Sequence, residues 1–425
     1  MDIRYILNKE IADIKEHYSS ERPKSRKLYQ TASDYIPGGT TRTVLSFEPF
    51  PFRVSETTPV ALVDVDGFSY VDFCGDHTCG LLGHSCEQLI DAITNQLRKG
   101  WSLGSTHKLE IKAAKLICER FPTIKKVRFT NSGTEANLLS ISVCLYLSKK
   151  KDVLVFKNGL HGSLLNFKMR NNIMKNELNT PFSFVISEFN DTDRLRNIFE
   201  ENNIGCVIIE PMQGSGGCIL AKKDFLSELR ILCNEFCAYL IFDEIMTSRL
   251  HPNGLQTYFD IVPDITTVGK YLGGGFSFGA FGGKEEIMNN FDGFGEQLMH
   301  SGTFNNNIAS MSACIEVLSK LYKESDAISL NKKGDFLRES LSNVFIKHNI
   351  PINLSGYGSM MHLNSSDNLW IKWIFYSLLI NGHYVSPNGL ISLSLEIDAK
   401  HISSFVNCCE TICGDFNKRY KTKIS

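Results

Sequence analysis

Between residues 85 and 310 the chain repeats one alternation: short, unbroken apolar runs (VRFT, VLVF, CVIIE, YLIFDE, ITTVGK) separated by segments of helical period such as EANLLSISVCLYLSKK and FLSELRILCNEF. An apolar run with no polar partner at every second residue is a strand buried on both faces. Repeated strand–helix alternation therefore predicts an α/β fold whose sheet is parallel or mostly parallel and lies between helices. In such sheets ligands bind at the carboxyl ends of the strands, so the residues closing each apolar run are the first candidates for function.

The flanks differ. Residues 1 to about 35 have the pattern of an amphipathic, solvent-facing helix and a polar stretch, ended by Pro37-Gly38-Gly39. Two short strands joined by Asp66-Gly67 predict a hairpin. After residue 310 helices, then strands, then a final helix predict a separate α+β lobe. The expected division is thus 1–84 as an N-terminal helix and hairpin belonging to the small domain, 85–310 as the large domain, and 311–425 as the small domain.

A formal net charge of −1 gives no field for nucleic acid or an anionic membrane, and the expected partner is a small molecule. The N-terminus interleaves charges with apolar residues, so neither an export signal nor a membrane span is expected. Thirteen cysteines without a CxxC pair fit thiols in a reducing cytoplasm. Cys408, Cys409 and Cys413 are dense enough to suggest a metal, but Cys409 and Cys413 share a helix face and nothing completes a tetrahedral set, so no metal site is expected.

Four strand exits carry chemistry. VRFT runs into Asn131-Ser132-Gly133-Thr134 and at once into a helix, where free backbone N–H groups and two hydroxyls can cradle a phosphate; the same residues also make an ordinary helix cap. YLIF closes on Asp243-Glu244, a carboxylate that could bind a ligand, cap a helix or hold a metal. ITTVG closes on Lys270 before three glycines, an amine that taken alone is usually solvated surface. VIIE closes on Glu210, with Gln213 just beyond. Together they supply a nucleophilic amine, a carboxylate for a ring nitrogen, and donors for a phosphate, the set that pyridoxal 5′-phosphate requires. Lys270 is then both the cofactor's anchor and the base that moves a proton, and Asp243 keeps the pyridine nitrogen protonated.

From about residue 35 almost to the C-terminus the sequence resembles the fold-type I, class III aminotransferases, in the subgroup of glutamate-1-semialdehyde aminomutase. The resemblance is carried by Asn131-Ser-Gly-Thr-Glu-Ala136, His161-Gly162, Glu210-Pro211, Asp243-Glu-Ile-Met246, Gly269-Lys270 and Ser301-Gly302-Thr303. It implies a large domain with a mostly parallel seven-stranded sheet. It also implies a cofactor site of Ser132, Gly133, Thr134, Leu160, His161, Glu210, Gln213, Asp243, Ile245, Lys270 and Thr303. Ile245 would pack on the ring, and Thr303 would reach the phosphate in a neighbouring subunit, hence a homodimer with shared sites.

Within the subgroup, Pro37-Gly-Gly-Thr-Thr-Arg42-Thr-Val-Leu45, Met246-Thr-Ser-Arg-Leu250 and Gly302-Thr-Phe-Asn-Asn-Asn307 look like the β-phenylalanine (β-amino acid) aminotransferases. That likeness implies Arg42 as the carboxylate-binding residue and Met246 beside the substrate. It also implies transfer of an amino group to a 2-oxo acid such as 2-oxoglutarate or pyruvate. Two positions depart from the pattern: Leu160, where an aromatic ring would stack on the pyridine, and Asn388, where an arginine is expected. Three other readings stay open: an aminomutase, amination of a carrier-bound β-ketoacyl chain in which Arg42 has no free carboxylate to hold, and a noncatalytic binding protein of the same fold.

Overall fold

A computed structural model describes residues 2–170, 173–174, 182–293 and 298–420. The chain forms two compact units, one of residues 87–328 and one that joins residues 1–86 to 329–425. The large unit extends to Ile328, beyond the expected boundary at 310, because Ile308–Glu316 packs against the helices Glu87–Leu97 and Lys108–Arg120 of that unit. All but Ala309 of its nine residues are buried.

The centre of the large unit is a seven-stranded sheet. In chain order its strands are β1 (Lys126–Thr130), β2 (Asp152–Phe156), β3 (Ser183–Ser187), β4 (Ile204–Ile209), β5 (Tyr239–Asp243), β6 (Ile265–Gly269) and β7 (Gly279–Gly283). In space they run β1-β7-β6-β5-β4-β2-β3. The pairs β6–β5, β5–β4, β4–β2 and β2–β3 are parallel, and β7 is antiparallel to both of its neighbours. Every residue of β2, β4 and β6 is buried, which is why these strands read as unbroken apolar runs. Helix α1 (Gly133–Ser148) covers one face, with Ala136, Ile141, Val143 and Cys144 packed with Val153, Val155, Ile208 and Ile241 in one apolar core.

Strand β7 carries no signal in the sequence, since Gly-Ala-Phe-Gly-Gly looks like loop. Its glycines are forced by crowding: a Cβ at Gly283 would lie 2.1 Å from the Asp264 carbonyl oxygen, and one at Gly282 2.4 Å from that of Lys126. At Gly279 a Cβ would lie 2.2 Å from the Ser132 carbonyl oxygen, so this strand runs directly beneath the turn at the start of α1. Gly279→Ala is expected to lower stability by about 1–3 kcal/mol by overpacking and to displace that turn. Chemical denaturation and cofactor affinity, measured on the same variant, check both effects.

In the other unit, Ala61–Asp64 and Ser69–Asp72 form the hairpin expected around Asp66-Gly67, with Gly67 at φ +96°. The N-terminal segment differs from expectation. It is two helices, Ile3–Glu21 and Pro23–Ser33, and the first is docked instead of solvent-facing: Ile6, Leu7, Ile11 and Tyr18 are buried, and it packs on the helix Asn368–Ile380. Arg22, at the break between them, is buried with Nε donating to the Tyr70 hydroxyl at 2.7 Å and 3.4 Å from Asp64. An arginine at a helix break reads as surface in a sequence, and the hairpin folded against it supplies the side-chain acceptors that bury it. Among the described residues no helix is long and apolar enough to cross a membrane.

Candidate active site

The carboxyl ends of β1, β5 and β6 converge on one region. Asp243 is the last residue of β5 and is buried. One carboxylate oxygen accepts from the Ile245 backbone N–H at 3.1 Å; the other lies 2.8 Å from His161 Nδ1 and accepts from Asn137 Nδ2 at 2.8 Å. An ionised carboxylate only accepts, so Nδ1 is the protonated ring nitrogen. The Asn137 amide nitrogen also donates to the His161 carbonyl at 2.8 Å, and its oxygen accepts from the Thr267 hydroxyl at 2.7 Å. Asn137 and Thr267 are fully buried and were not legible as site residues, since a single polar residue on an apolar helix or strand carries no signal of what it meets.

Lys270 follows β6 directly and has φ +54°, a left-handed conformation that costs a non-glycine residue about 1–2 kcal/mol. Strain of this kind is held where the surrounding structure fixes a residue in one orientation. β6 lies beside β5, with Thr267 in register with Asp243, so the lysine and the carboxylate leave neighbouring strands on the same sheet edge.

At the end of β1, Ser132 caps α1, its hydroxyl accepting from the Glu135 N–H at 3.2 Å. The first N–H groups of a helix have no partner within it and form an anion-binding end. The turn is closely packed: a Cβ on Gly133 would lie 2.4 Å from Ile245 Cδ1, and one on Gly162, at φ +124°, 2.2 Å from Thr134 Oγ1. Ile245 thus lies against the cradle, and the backbone after His161 runs against Thr134.

Glu210 and Gln213 turn away from open space. Glu210 accepts from the backbone N–H groups of Leu160 at 3.0 Å and Gly214 at 2.9 Å, and Gln213 donates to the Lys157 carbonyl at 2.7 Å. Burial pushes the Glu210 carboxyl up to about 7, with His161 opposing the rise. Met246 packs on this brace, its sulfur 2.5 Å from where a Cβ on Gly214 would be. Glu244, beside Asp243, is a structural cap: it accepts from the N–H groups of Leu255 and Gln256 and the Thr247 hydroxyl.

Thr303 is exposed, bordering a groove of about 1110 Å³ that is also lined by Trp101, Leu103 and Phe304. Arg42 belongs to the other compact unit, where its Nη1 donates to Asp76 at 2.7 Å. In that unit Asn388 shapes a turn, its side-chain oxygen accepting from the Ser386 hydroxyl at 2.6 Å.

Residues 46–411 match the family model described as aminotransferase class-III. The chain belongs to the class-III aminotransferases. It is similar to a β-phenylalanine transaminase of Variovorax paradoxus, 37% identical over 96% of each chain, and to a glutamate-1-semialdehyde 2,1-aminomutase of Methanococcus maripaludis, 35% identical over 86% of this chain and 91% of that one. Among solved structures, a β-phenylalanine aminotransferase from Variovorax paradoxus superposes with a TM-score of 0.94 at 36% identity, covering 97% of this chain and 98% of that one. A transaminase solved with PLP bound gives 0.87 at 26% identity, covering 94% and 99%.

This class-III enzyme is a pyridoxal-phosphate-dependent aminotransferase of fold type I. Its site fits the cofactor on its own geometry. A buried, three-donor carboxylate on β5 is suited to a protonated ring nitrogen. Gly133 and Gly162 let Ile245 and Thr134 close on the turn where a methyl group would collide, beside a helix end that favours a phosphate.

Proposed function

We propose that this enzyme takes the amino group of a β-amino acid, leaving a β-keto acid, and passes it to a 2-oxo acid such as 2-oxoglutarate or pyruvate. The observation that carries the reading is the likeness to the β-phenylalanine transaminase over nearly the whole of both chains. Lys270 and Asp243 on adjacent strand ends support the chemistry.

Bound pyridoxal phosphate supplies an electron sink for the carbanion formed at the amine-bearing carbon. Lys270 would anchor the cofactor and, as a free amine, would take the proton from that carbon and return it as general base and acid. Asp243 holds the ring nitrogen protonated, and His161 with Asn137 and Thr267 holds Asp243. Ser132, Gly133 and Thr134 bind the phosphate. Ile245 and Leu160 would pack against the ring, while Glu210 and Gln213 brace the loop that presents Leu160 and His161. Arg42 binds the substrate carboxylate as a two-pronged donor, and Met246 lines the substrate space.

The assembly is a homodimer in which Thr303 reaches the partner's cofactor phosphate. Exposure of Trp101 at 72% and Phe304 at 67% beside Thr303 supports a second copy of the chain on that groove. Thirteen free thiols support a reducing, cytoplasmic setting.

The test is an absorbance spectrum of the holoenzyme, taken alone, after a β-amino acid, and after a 2-oxo acid. The visible band of the lysine-bound cofactor is expected to disappear with the amine and return with the 2-oxo acid. Arg42→Ala is expected to raise KM for the free β-amino acid about 10- to 100-fold, the loss of a charge-assisted hydrogen bond, with a smaller change in kcat. A band that ignores every free amino acid but responds to a semialdehyde overturns this reading in favour of an aminomutase.

A further inference from the structure

The loop that carries Thr303 is tied to the phosphate cradle by a row of side chains. Arg128 on β1 donates from Nε to His300 Nδ1 at 2.9 Å, from Nη2 to the His300 carbonyl at 3.4 Å, and from Nη1 to the Phe291 carbonyl at 2.7 Å. The other ring nitrogen of His300 lies 3.1 Å from the Asn305 side-chain amide, and that amide lies 2.9 Å from the amide of Asn131. Asn131 is the first residue of the cradle, and its backbone N–H donates to Glu135 at 2.9 Å. Gly302 makes the arrangement possible: a Cβ there would lie 2.4 Å from the Asn305 side chain, so only glycine lets Asn305 turn back beneath the loop.

The chemistry of the partners gives the row a direction. A guanidinium only donates, so His300 Nδ1 is unprotonated and the neutral ring carries its proton on Nε2. Nε2–H then requires the Asn305 amide oxygen, which leaves the Asn305 NH2 for the Asn131 oxygen and gives up the long 3.5 Å approach of the Asn131 NH2 to Glu135; amide orientation follows from such a network. The ring packs at its edges on Phe281 and Phe291, with centroids 5.7 and 6.2 Å away. Among the described residues the charged groups acting on it are Arg128 and Glu135, and Glu110 from the neighbouring helix is bonded to Asn306. Burial and then Arg128 hold the imidazole below its ordinary pKa, with Glu135 opposing. A protonated ring would set N–H against N–H at Nδ1 and place two positive charges side by side.

We propose that Asn305 and His300 are positioning residues for the cofactor's phosphate: they fasten Asn131, and with it the Ser132–Thr134 turn, to the loop bearing Thr303, and release it when His300 gains a proton. The proposal rests on reading that turn as the phosphate cradle. Because His300 is depressed in the folded state, the tie is complete above the ordinary histidine range and weakens as pH falls below it.

The experiment measures release of pyridoxal phosphate from holoenzyme into a trapping protein between about pH 5 and 8, with pyridoxal, which lacks the phosphate, as the comparison ligand. Asn305→Ala is expected to release pyridoxal phosphate about 10-fold faster at neutral pH, the equivalent of one lost buried hydrogen-bond network link, and to release pyridoxal at the wild-type rate. Wild type is expected to release pyridoxal phosphate several-fold faster on acidification. His300→Gln is expected to lack that acceleration beyond what protonation of the phosphate itself contributes to both proteins. His300→Gln keeps an amide in place, so its pH profile decides the matter even where Asn305→Ala loosens the fold. A His300→Gln profile that tracks wild type overturns the proposal, provided that Thr134→Ala weakens pyridoxal phosphate and spares pyridoxal. If Thr134→Ala fails to distinguish the two ligands, the cradle reading itself falls, and the positioning role with it.

Discussion

Lys270→Ala is expected to lower the rate of each half-reaction by about 10⁴-fold or more, because on the proposed reading one substitution removes both the anchor and the general base. The two losses can be separated. Without the amine the visible band of the lysine-bound cofactor is absent, yet cofactor held by Asp243 and the cradle still co-purifies. Proton transfer is then limited by what else can reach the substrate carbon, and small exogenous amines are expected to restore part of the rate in proportion to their basicity and size. The left-handed φ of +54° at Lys270 adds a second expectation. Lys270→Gly relieves that strain, so it is expected to be more stable than Lys270→Ala by about 1 kcal/mol or slightly more, while being equally inactive. A Lys270→Ala enzyme that keeps more than about a hundredth of wild-type turnover would place the base elsewhere.

The strand-end residues of the candidate site were legible in the sequence, and the reason is topological. Parallel strands are buried on both faces, so they appear as apolar runs, and ligands lie at their carboxyl ends. The first polar residue after YLIF and after ITTVG was therefore informative, and these are Asp243 and Lys270. What stayed hidden was the support. Asn137 sits one turn into an apolar helix and Thr267 in the middle of an apolar strand, and only the fold shows that they close on Asp243. Glu210 and Gln213 were visible at the sheet edge, but not that their side chains are spent on the backbone of Leu160, Gly214 and Lys157. Strand β7 was hidden because its glycines answer to neighbouring carbonyls and not to any propensity. The N-terminal helix misled for a related cause: Tyr18 packs on Phe47 and Phe50, and Arg22 meets Asp64 and Tyr70, all of them far along the chain from the helix.

Asp243→Asn tests the other half of the chemistry, and its cost is expected to have two parts. The carboxamide cannot balance a positive charge on the ring nitrogen, which removes an electrostatic stabilisation of the kind whose loss lowers turnover about 10²- to 10³-fold. The amide must also fit a site built for two acceptors. Its NH2 group faces either the Ile245 N–H or the pair of His161 and Asn137, and each of those is now a donor. His161 can answer by moving its proton to the other nitrogen, but the Ile245 N–H and the Asn137 NH2 cannot, so a buried donor is left unpaired at about 1–3 kcal/mol. Melting of the apoenzyme reads that second part alone. Supplying a cofactor methylated on its ring nitrogen, and so permanently cationic, reads the first: it is expected to recover a large share of the rate in Asp243→Asn and to slow the wild-type enzyme, where the methyl group crowds the carboxylate. If the methylated cofactor leaves Asp243→Asn as slow as before, the carboxylate acts by holding His161 in place and not by charging the ring.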